Sequence, residues 1–215
     1  AYHFDNSQVA SYLNKRSKNI EIIDDIYTSS TQNVDGTIKS LCFESGLELD
    51  VDLVIDCSGF KKLIIGDVFK TKWISYQDNL PVNRAMPFFL DIKEENYINY
   101  TLAWAQKYGW MWQIPTQERI GAGYVYCDQF ISPDQAQEEI EKVLGHKIEP
   151  RRDIKFNSGR LEKYWVKNCL AIGLSSGFLE PLEATSIHST LIQIILFATE
   201  YLKKEMDFNL SLIHI

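Results

Sequence analysis

The chain has 215 residues, 45% of them hydrophobic, and a formal net charge of -7. That is enough apolar material for one good-sized domain or two small ones, and an acidic balance with scattered Lys and Arg argues against nucleic acid as the main partner. No polybasic segment points to a membrane surface, the most apolar run (191–198) is broken by Gln193 and too short to span a bilayer, and the first residues do not read as a signal peptide, so a cytoplasmic protein is expected.

In chain order, Asp5 followed by Gln8 starts a helix whose apolar side is Val9, Tyr12 and Leu13, running to about Lys18. Residues 20–27 read as a strand. Asp35-Gly36 and Ser45-Gly46 are turns around residues 37–43, giving a small hairpin or meander. Residues 50–55 form an apolar strand that ends in the small-residue turn Asp56-Cys57-Ser58-Gly59-Phe60. Residues 61–83 read as mostly loop. Residues 86–92, 100–106, 109–114 and 120–126 are rich in aromatic and branched side chains with turn residues between them, which predicts an antiparallel sheet. Ser132-Pro133 with Gln135 opens a helix with Ala136, Ile140, Val143 and Leu144 on its apolar face, and Gly145 closes it. Residues 154–161 predict one further strand.

The stretch that organises the rest is CLAIGLSSGFLEPLEATSIH, residues 169–188. An apolar strand over 169–172 runs into a loop of Gly173, Ser175, Ser176 and Gly177. A helix capped near Thr185 and Ser186 follows, with Ile187, Leu191, Ile192, Ile194, Ile195, Leu196, Phe197 and Tyr201 leaving it almost no polar face, so it is expected to be buried. Free amides at such a helix start stabilise an anion. Glu183, beside that start, is either a carboxylate put to chemical use or a capping partner. In doubly wound folds ligands lie beyond the carboxyl ends of the strands, so the turns after Ile55 and Ile172 either share one crevice or are two unrelated turns. Cys42, Cys57, Cys127 and Cys169 lack metal-ligand spacing and read as buried free thiols, and the four histidines form no ligand pattern, so no metal is expected.

Trp110 and Trp112, two apart on one strand, share a face. Their segment, Trp110-Met111-Trp112-Gln113-Ile114-Pro115, is similar to the WxWxIP signature of the flavin-dependent halogenases, and of the tryptophan halogenases in particular. YHFDNSQVASYL (2–13), VIDCSGF (54–60), GAGYVYCDQF (121–130) and AIGLSSGFLEPLEATSIH (171–188) resemble that family in the family's order.

The resemblance implies a partial FAD-binding fold of the aromatic-hydroxylase type in the α/β class, with an antiparallel substrate-side sheet. Its divisions would be 1–84 as part of the FAD domain, 85–165 as the sheet and its helix, and 166–215 as the return to the FAD domain. The implied activity is chlorination or bromination of an electron-rich aromatic such as tryptophan or an indole, through a flavin hydroperoxide and hypohalous acid. The cofactors would be FAD, reduced by a separate flavin reductase, and chloride or bromide; the substrate would be a small aromatic. The resemblance assigns Glu183 as the active-site carboxylate and Thr185 and Ser186 as the halide-binding amides. It assigns Ile23, Ser58, Gly59, Leu174, Ser175, Gly177 and Ile187 to the cofactor, and Trp110, Trp112, Ile114 and Pro115 to shaping the site. The family's GxGxxG motif does not occur in these residues, and Lys61 and Lys62 do not stand at the family's lysine position. The chain opens at Ala1 as a fragment of a longer protein would. A flavin hydroxylase, or a truncated chain without activity of its own, stays open beside the halogenase.

Overall fold

In the computed structural model, residues 3–93, 98–179 and 185–202 are described. Helix α1 (Asn6–Arg16) starts where Asp5 accepts a hydrogen bond from the Ser7 amide at 2.8 Å, and its Val9, Tyr12 and Leu13 stay open to solvent. The strand expected over 20–27 does not form; β1 (Tyr27–Gln32) begins where that segment ends. Asp25 is the reason, because its carboxylate accepts from the Ile26 amide and from the amide and hydroxyl of Ser45, fixing a turn in place of a ladder. Strands β2 (Ile38–Phe43) and β3 (Glu48–Asp50) complete an antiparallel meander with β1.

The strand expected over 50–55 divides in two, because residues 51–53 leave the meander before β4 (Val54–Asp56) begins. Buried Asn168 bridges the gap. Its side chain accepts from the Ile38 amide and donates to the Ile38 and Asp52 carbonyls, taking the place of ladder bonds that the break removes. Strand β5 (Trp73–Ser75) follows, and then the antiparallel run of β6 (Arg84–Leu90), β7 (Leu102–Ala105), β8 (Gly109–Pro115) and β9 (Ile120–Tyr126). Helix α2 (Pro133–Leu144) carries the reciprocal Ser132–Gln135 capping box and ends on Gly145 in the left-handed conformation, as the sequence predicts. The single strand expected over 154–161 is two, β10 (Ile154–Lys155) and β11 (Gly159–Leu161), because the chain changes sheets between them: the Phe156 amide bonds to Asn83, and Asn157 accepts from the Ser75 hydroxyl. Strands β12 (Trp165–Val166), β13 (Cys169–Ala171) and β14 (Gly177–Phe178) and helix α3 (Thr185–Leu196) end the described chain, α3 running on as a π-helical turn over Phe197–Tyr201.

Two compact units divide these elements, residues 1–22 with 79–156, and 23–78 with 157–215. The first holds α1, α2 and a five-stranded antiparallel sheet in the order β10-β6-β9-β8-β7. Alternation along the strands puts Met86, Phe88, Met111, Ala122, Tyr124 and Tyr126 on one face, where Ala136 and Ile140 of α2 cover them. The buried Tyr124 and Tyr126 hydroxyls donate to Glu139 and Asp153, so neither polar tip is stranded.

The second unit contains the meander, the sheet β12-β13-β4 and the sheet β14-β11-β5. Its larger core gathers Ile38, Val54, Ile64, Ile65, Leu161, Cys169 and Ala171. Helix α3 corrects an expectation. It buries none of its residues, and Ile187, Leu191, Ile194 and Ile195 are 40–53% exposed. The contact that continues from it is made by Phe197, packed with Leu170 and Ile172, while nothing among the described residues covers its other flank. The thiols divide as well: Cys127 and Cys169 are buried as expected, but Cys42 is half-buried and Cys57 exposed, because Cys57 follows β4 in a loop at the surface.

Candidate active site

The second unit brings two strand ends together. β4 and β13 are parallel neighbours in the register Val54↔Cys169, Ile55↔Leu170 and Asp56↔Ala171, so the loops that leave them emerge at the same end of the sheet. The two loops are tied to one another. The Ile172 amide donates to the Asp56 carbonyl at 3.1 Å, and the buried Ser175 hydroxyl donates to the same carbonyl. The two turns are therefore neighbours and not unrelated, although the cavity beside them is lined by the second loop and not by residues 56–60.

Asp56 fixes the first loop. It is 2% exposed, and its carboxylate accepts from the Ser58 amide and hydroxyl and from the Ile64 and Ile65 amides, at 2.6–3.0 Å. Burial works to raise its pKa, but the four donors together hold the carboxyl below the usual carboxylate range. The Ser58 hydroxyl also accepts from the Leu63 amide, so this side chain organises the loop. Gly59 follows in a single helical turn, and Ile23, elsewhere in the unit, is an exposed residue in irregular chain before β1.

The second loop opens onto a cavity of about 410 Å³ lined by residues of this unit alone. Gly173, Ser176 and Gly177 form one side, and Thr185, Ser186, Ser189, Thr190 and Gln193 of α3 form another. Gly173 has φ +70°, and a side chain there would also press toward the Thr190 hydroxyl. Gln193 pins loop to helix, accepting from the Gly173 amide and donating to the Ser176 hydroxyl. Thr185 and Ser186 sit in the first turn of α3 on the cavity wall, while Leu174 and Ile187, each one residue removed in sequence from a wall residue, are 36% and 40% exposed. Ser175 points inward to backbone carbonyls. Glu183 lies outside the described residues. Tyr76, Arg160, Tyr164 and Phe178 also line the cavity and are not singled out by the sequence, because their place depends on the pairing of β11 with both β5 and β14.

The first unit presents a different surface. Trp110, Trp112 and Ile114 share the face of β8 opposite α2, with the two indole centroids 6.1 Å apart. Trp112 pairs with Gly123, where a β-carbon would fall 2.0 Å from the end of its indole; the glycine is what lets the ring lie flat on the sheet. On the same face Phe89 stands between two cations, with the guanidinium of Arg119 3.8 Å and that of Arg151 4.5 Å from its ring centroid. Arg119 in turn pairs with Asp5 at 2.7 Å. Buried Pro115 ends β8, its carbonyl hydrogen-bonded to His3.

The tryptophan halogenase family model matches residues 1–206. The chain belongs to the tryptophan halogenase family. It is 35% identical over 207 residues to the tryptophan 7-halogenase KtzQ of Kutzneria sp. (strain 744), covering 91% of this chain and 38% of that protein. It is 34% identical over 205 residues to the tryptophan 6-halogenase SttH of Streptomyces toxytricini, with 91% and 39% covered. Among solved structures, BrvH, a flavin-dependent halogenase from Brevundimonas sp. BAL3, superposes with a TM-score of 0.86 at 35% identity over 91% of this chain and 41% of that one. The chain thus spans about two fifths of the length of these relatives. Its fold is mixed α/β with antiparallel sheets, a part of the flavin-dependent halogenase fold. Among the described residues no helix is long and apolar enough to cross a membrane.

Proposed function

We propose that this halogenase-family chain forms the halide-side wall and the tryptophan-lined sheet of an FAD-dependent halogenase acting on a small electron-rich aromatic such as tryptophan or an indole. The observation that carries the reading is the cavity at the first turn of α3, where Thr185 and Ser186 face a small-residue loop at the carboxyl ends of parallel strands. Amides at a helix start favour an anion there, and chloride or bromide is the anion the reaction consumes.

The residues present fit the ring end of a flavin. Gly173 and Gly177 leave both ends of the loop without a side chain, and the exposed Leu174 and Ile187 offer apolar contact beside it. No GxGxxG occurs in these 215 residues to hold a pyrophosphate. When bound and reduced by a separate flavin reductase, FAD supplies the activated oxygen that oxidises halide. The chain's own part is to hold the halide on the first turn of α3 and to fix the loop through Gln193 and Asp56; Trp110 and Trp112, on the sheet of the other unit, are the site-shaping residues of the same reading. Glu183 holds or removes a proton at the reacting ring. The three divisions of the chain follow the same reading: residues 1–84 and 166–215 serve the flavin side, and 85–165 the substrate side.

The test is aerobic turnover with FAD, a flavin reductase and bromide, using this chain and any longer polypeptide that carries it, with tryptophan and simple indoles as substrates. A bromine isotope doublet in the product, lost in Glu183→Gln, is the expected result. A hydroxylated product independent of halide would overturn it in favour of a flavin hydroxylase.

A further inference from the structure

Arg160 is the one arginine on the wall of the cavity. It sits in the middle strand of the sheet β14-β11-β5, paired with Gly177 on one side and Ile74 on the other. A side chain at Gly177 would touch the Arg160 β-carbon at 3.5 Å, so the glycine leaves the arginine room beside the loop. The guanidinium donates to the neighbouring Leu161 carbonyl at 2.9 Å and pairs with no carboxylate among the described residues. Glu162, also on the wall, is exposed and makes no ion pair with it. Tyr164 stands close. Burial raises its pKa, and the positive charge of Arg160 works against that rise.

A guanidinium has five fixed N–H donors, and the bonds of Arg160 to the Leu161 carbonyl and to the Tyr164 hydroxyl leave others to meet an anion in the cavity. The opposite wall adds the hydroxyl-rich first turns of α3, and a helix start carries partial positive charge. Arg160 and the helix start therefore favour negative charge in the cavity, with Glu162 the one carboxylate among its lining residues. We propose that Arg160 is an anion-binding residue of this cavity, supplying the fixed countercharge for the halide taken up against Thr185 and Ser186. The inference rests on the halogenase reading and adds to it a residue that holds the halide through charge from the strand side. A charge-assisted contact of this kind is worth about tenfold or more in affinity.

The probe is chloride itself, followed by its NMR line width in the presence of the chain. Wild type is expected to give saturable excess broadening that bromide displaces. Arg160→Gln should weaken the apparent affinity by about tenfold, and Arg160→Lys, which keeps the charge, should recover most of it. No saturable broadening in wild type would overturn the halide reading and this inference with it. Broadening in wild type that R160Q leaves unchanged would overturn the role of Arg160 alone. Should R160Q fail to fold by circular dichroism, the wild-type chain decides: bromide is expected to protect Arg160 from an arginine-selective dicarbonyl, read by peptide mass, and equal modification with and without bromide would refute the assignment.

Discussion

Replacing Asp56 by Asn removes one charge and one acceptor from the junction of the two loops. The carboxylate takes four donors, two from Ser58 and one each from Ile64 and Ile65, in a site where the residue is 2% exposed. An amide has a single oxygen. Turned toward Ile64 and Ile65, it leaves the Ser58 amide facing an NH2 group; turned the other way, it strands both isoleucine amides. A buried donor without a partner costs about 1–3 kcal/mol, and bonds to a charged acceptor lose part of their strength when the charge goes, so D56N should destabilise by about 2–5 kcal/mol. With a urea m-value of about 2 kcal/mol per molar, the unfolding midpoint should fall by about 1–2 M. The sign with pH follows from the depressed carboxyl pKa. A folded-state pKa below the unfolded value gives stability that is fully present above the unfolded pKa of about 3.9 and is lost as pH falls through the folded one. The gap between wild type and D56N should therefore be constant near neutrality and shrink below about pH 4. Urea titrations followed by circular dichroism at both pH values measure it. A D56N midpoint matching wild type at pH 7, or a gap indifferent to acid, would refute the account of this loop.

Gly123→Ala should push the Trp112 indole off the sheet, since its β-carbon would arrive 2.0 Å from the ring; the cost is about 1–3 kcal/mol, and the near-ultraviolet circular dichroism of the paired tryptophans should change. Asn168→Ala strips the Ile38 amide and carbonyl of their buried partners and should cost about 2–4 kcal/mol by denaturant unfolding, more than an exposed asparagine could. Arg119→Ala breaks the contacts to Asp5 and Phe89 together, and because α1 buries no side chain, its amides should exchange faster while those of β9 keep their protection. Spectrophotometric titration should find Tyr126 still protonated at pH 11, because burial and the bond to Asp153 push its pKa up to about 12; ionisation at the ordinary value near 10 would contradict its placement.

Local chemistry was legible where the residues that decide a conformation are close in sequence. Ser132, Gln135 and Gly145 mark both ends of α2 without reference to the rest of the chain, and alternation alone puts Trp110 and Trp112 on one face of β8. The errors have a common physical source. Residues 20–26 have apolar strand character, but Asp25 engages the Ser45 turn 20 positions away, and no local pattern reports that bond. The apolarity of α3 was read as burial, whereas its exposed flank shows only that nothing among the described residues covers it. Within the candidate site, Thr185, Ser186 and Gly177 were found because they are neighbours in one motif. Arg160 was not, because its place depends on β11 joining β5 to β14, pairings across roughly 85 and 17 residues.

The pairing of β4 with β13 has a kinetic consequence. Val54 meets Cys169 only after the chain has passed through the whole of the sheet unit between them, so the loop that carries the candidate site closes over more than a hundred residues. Closing so long an unstructured loop is entropically slow, and non-local pairings lengthen folding times. The inserted sheet has short-range hairpins such as β8 with β9 and can condense first, bringing its own ends at residues 79 and 156 near one another through β6 and β10. Refolding should then run in two phases. Tryptophan 110 and 112 signals would recover early, and the crevice between the parallel strands would assemble last, making it the part of the molecule most open to kinetic competition during synthesis.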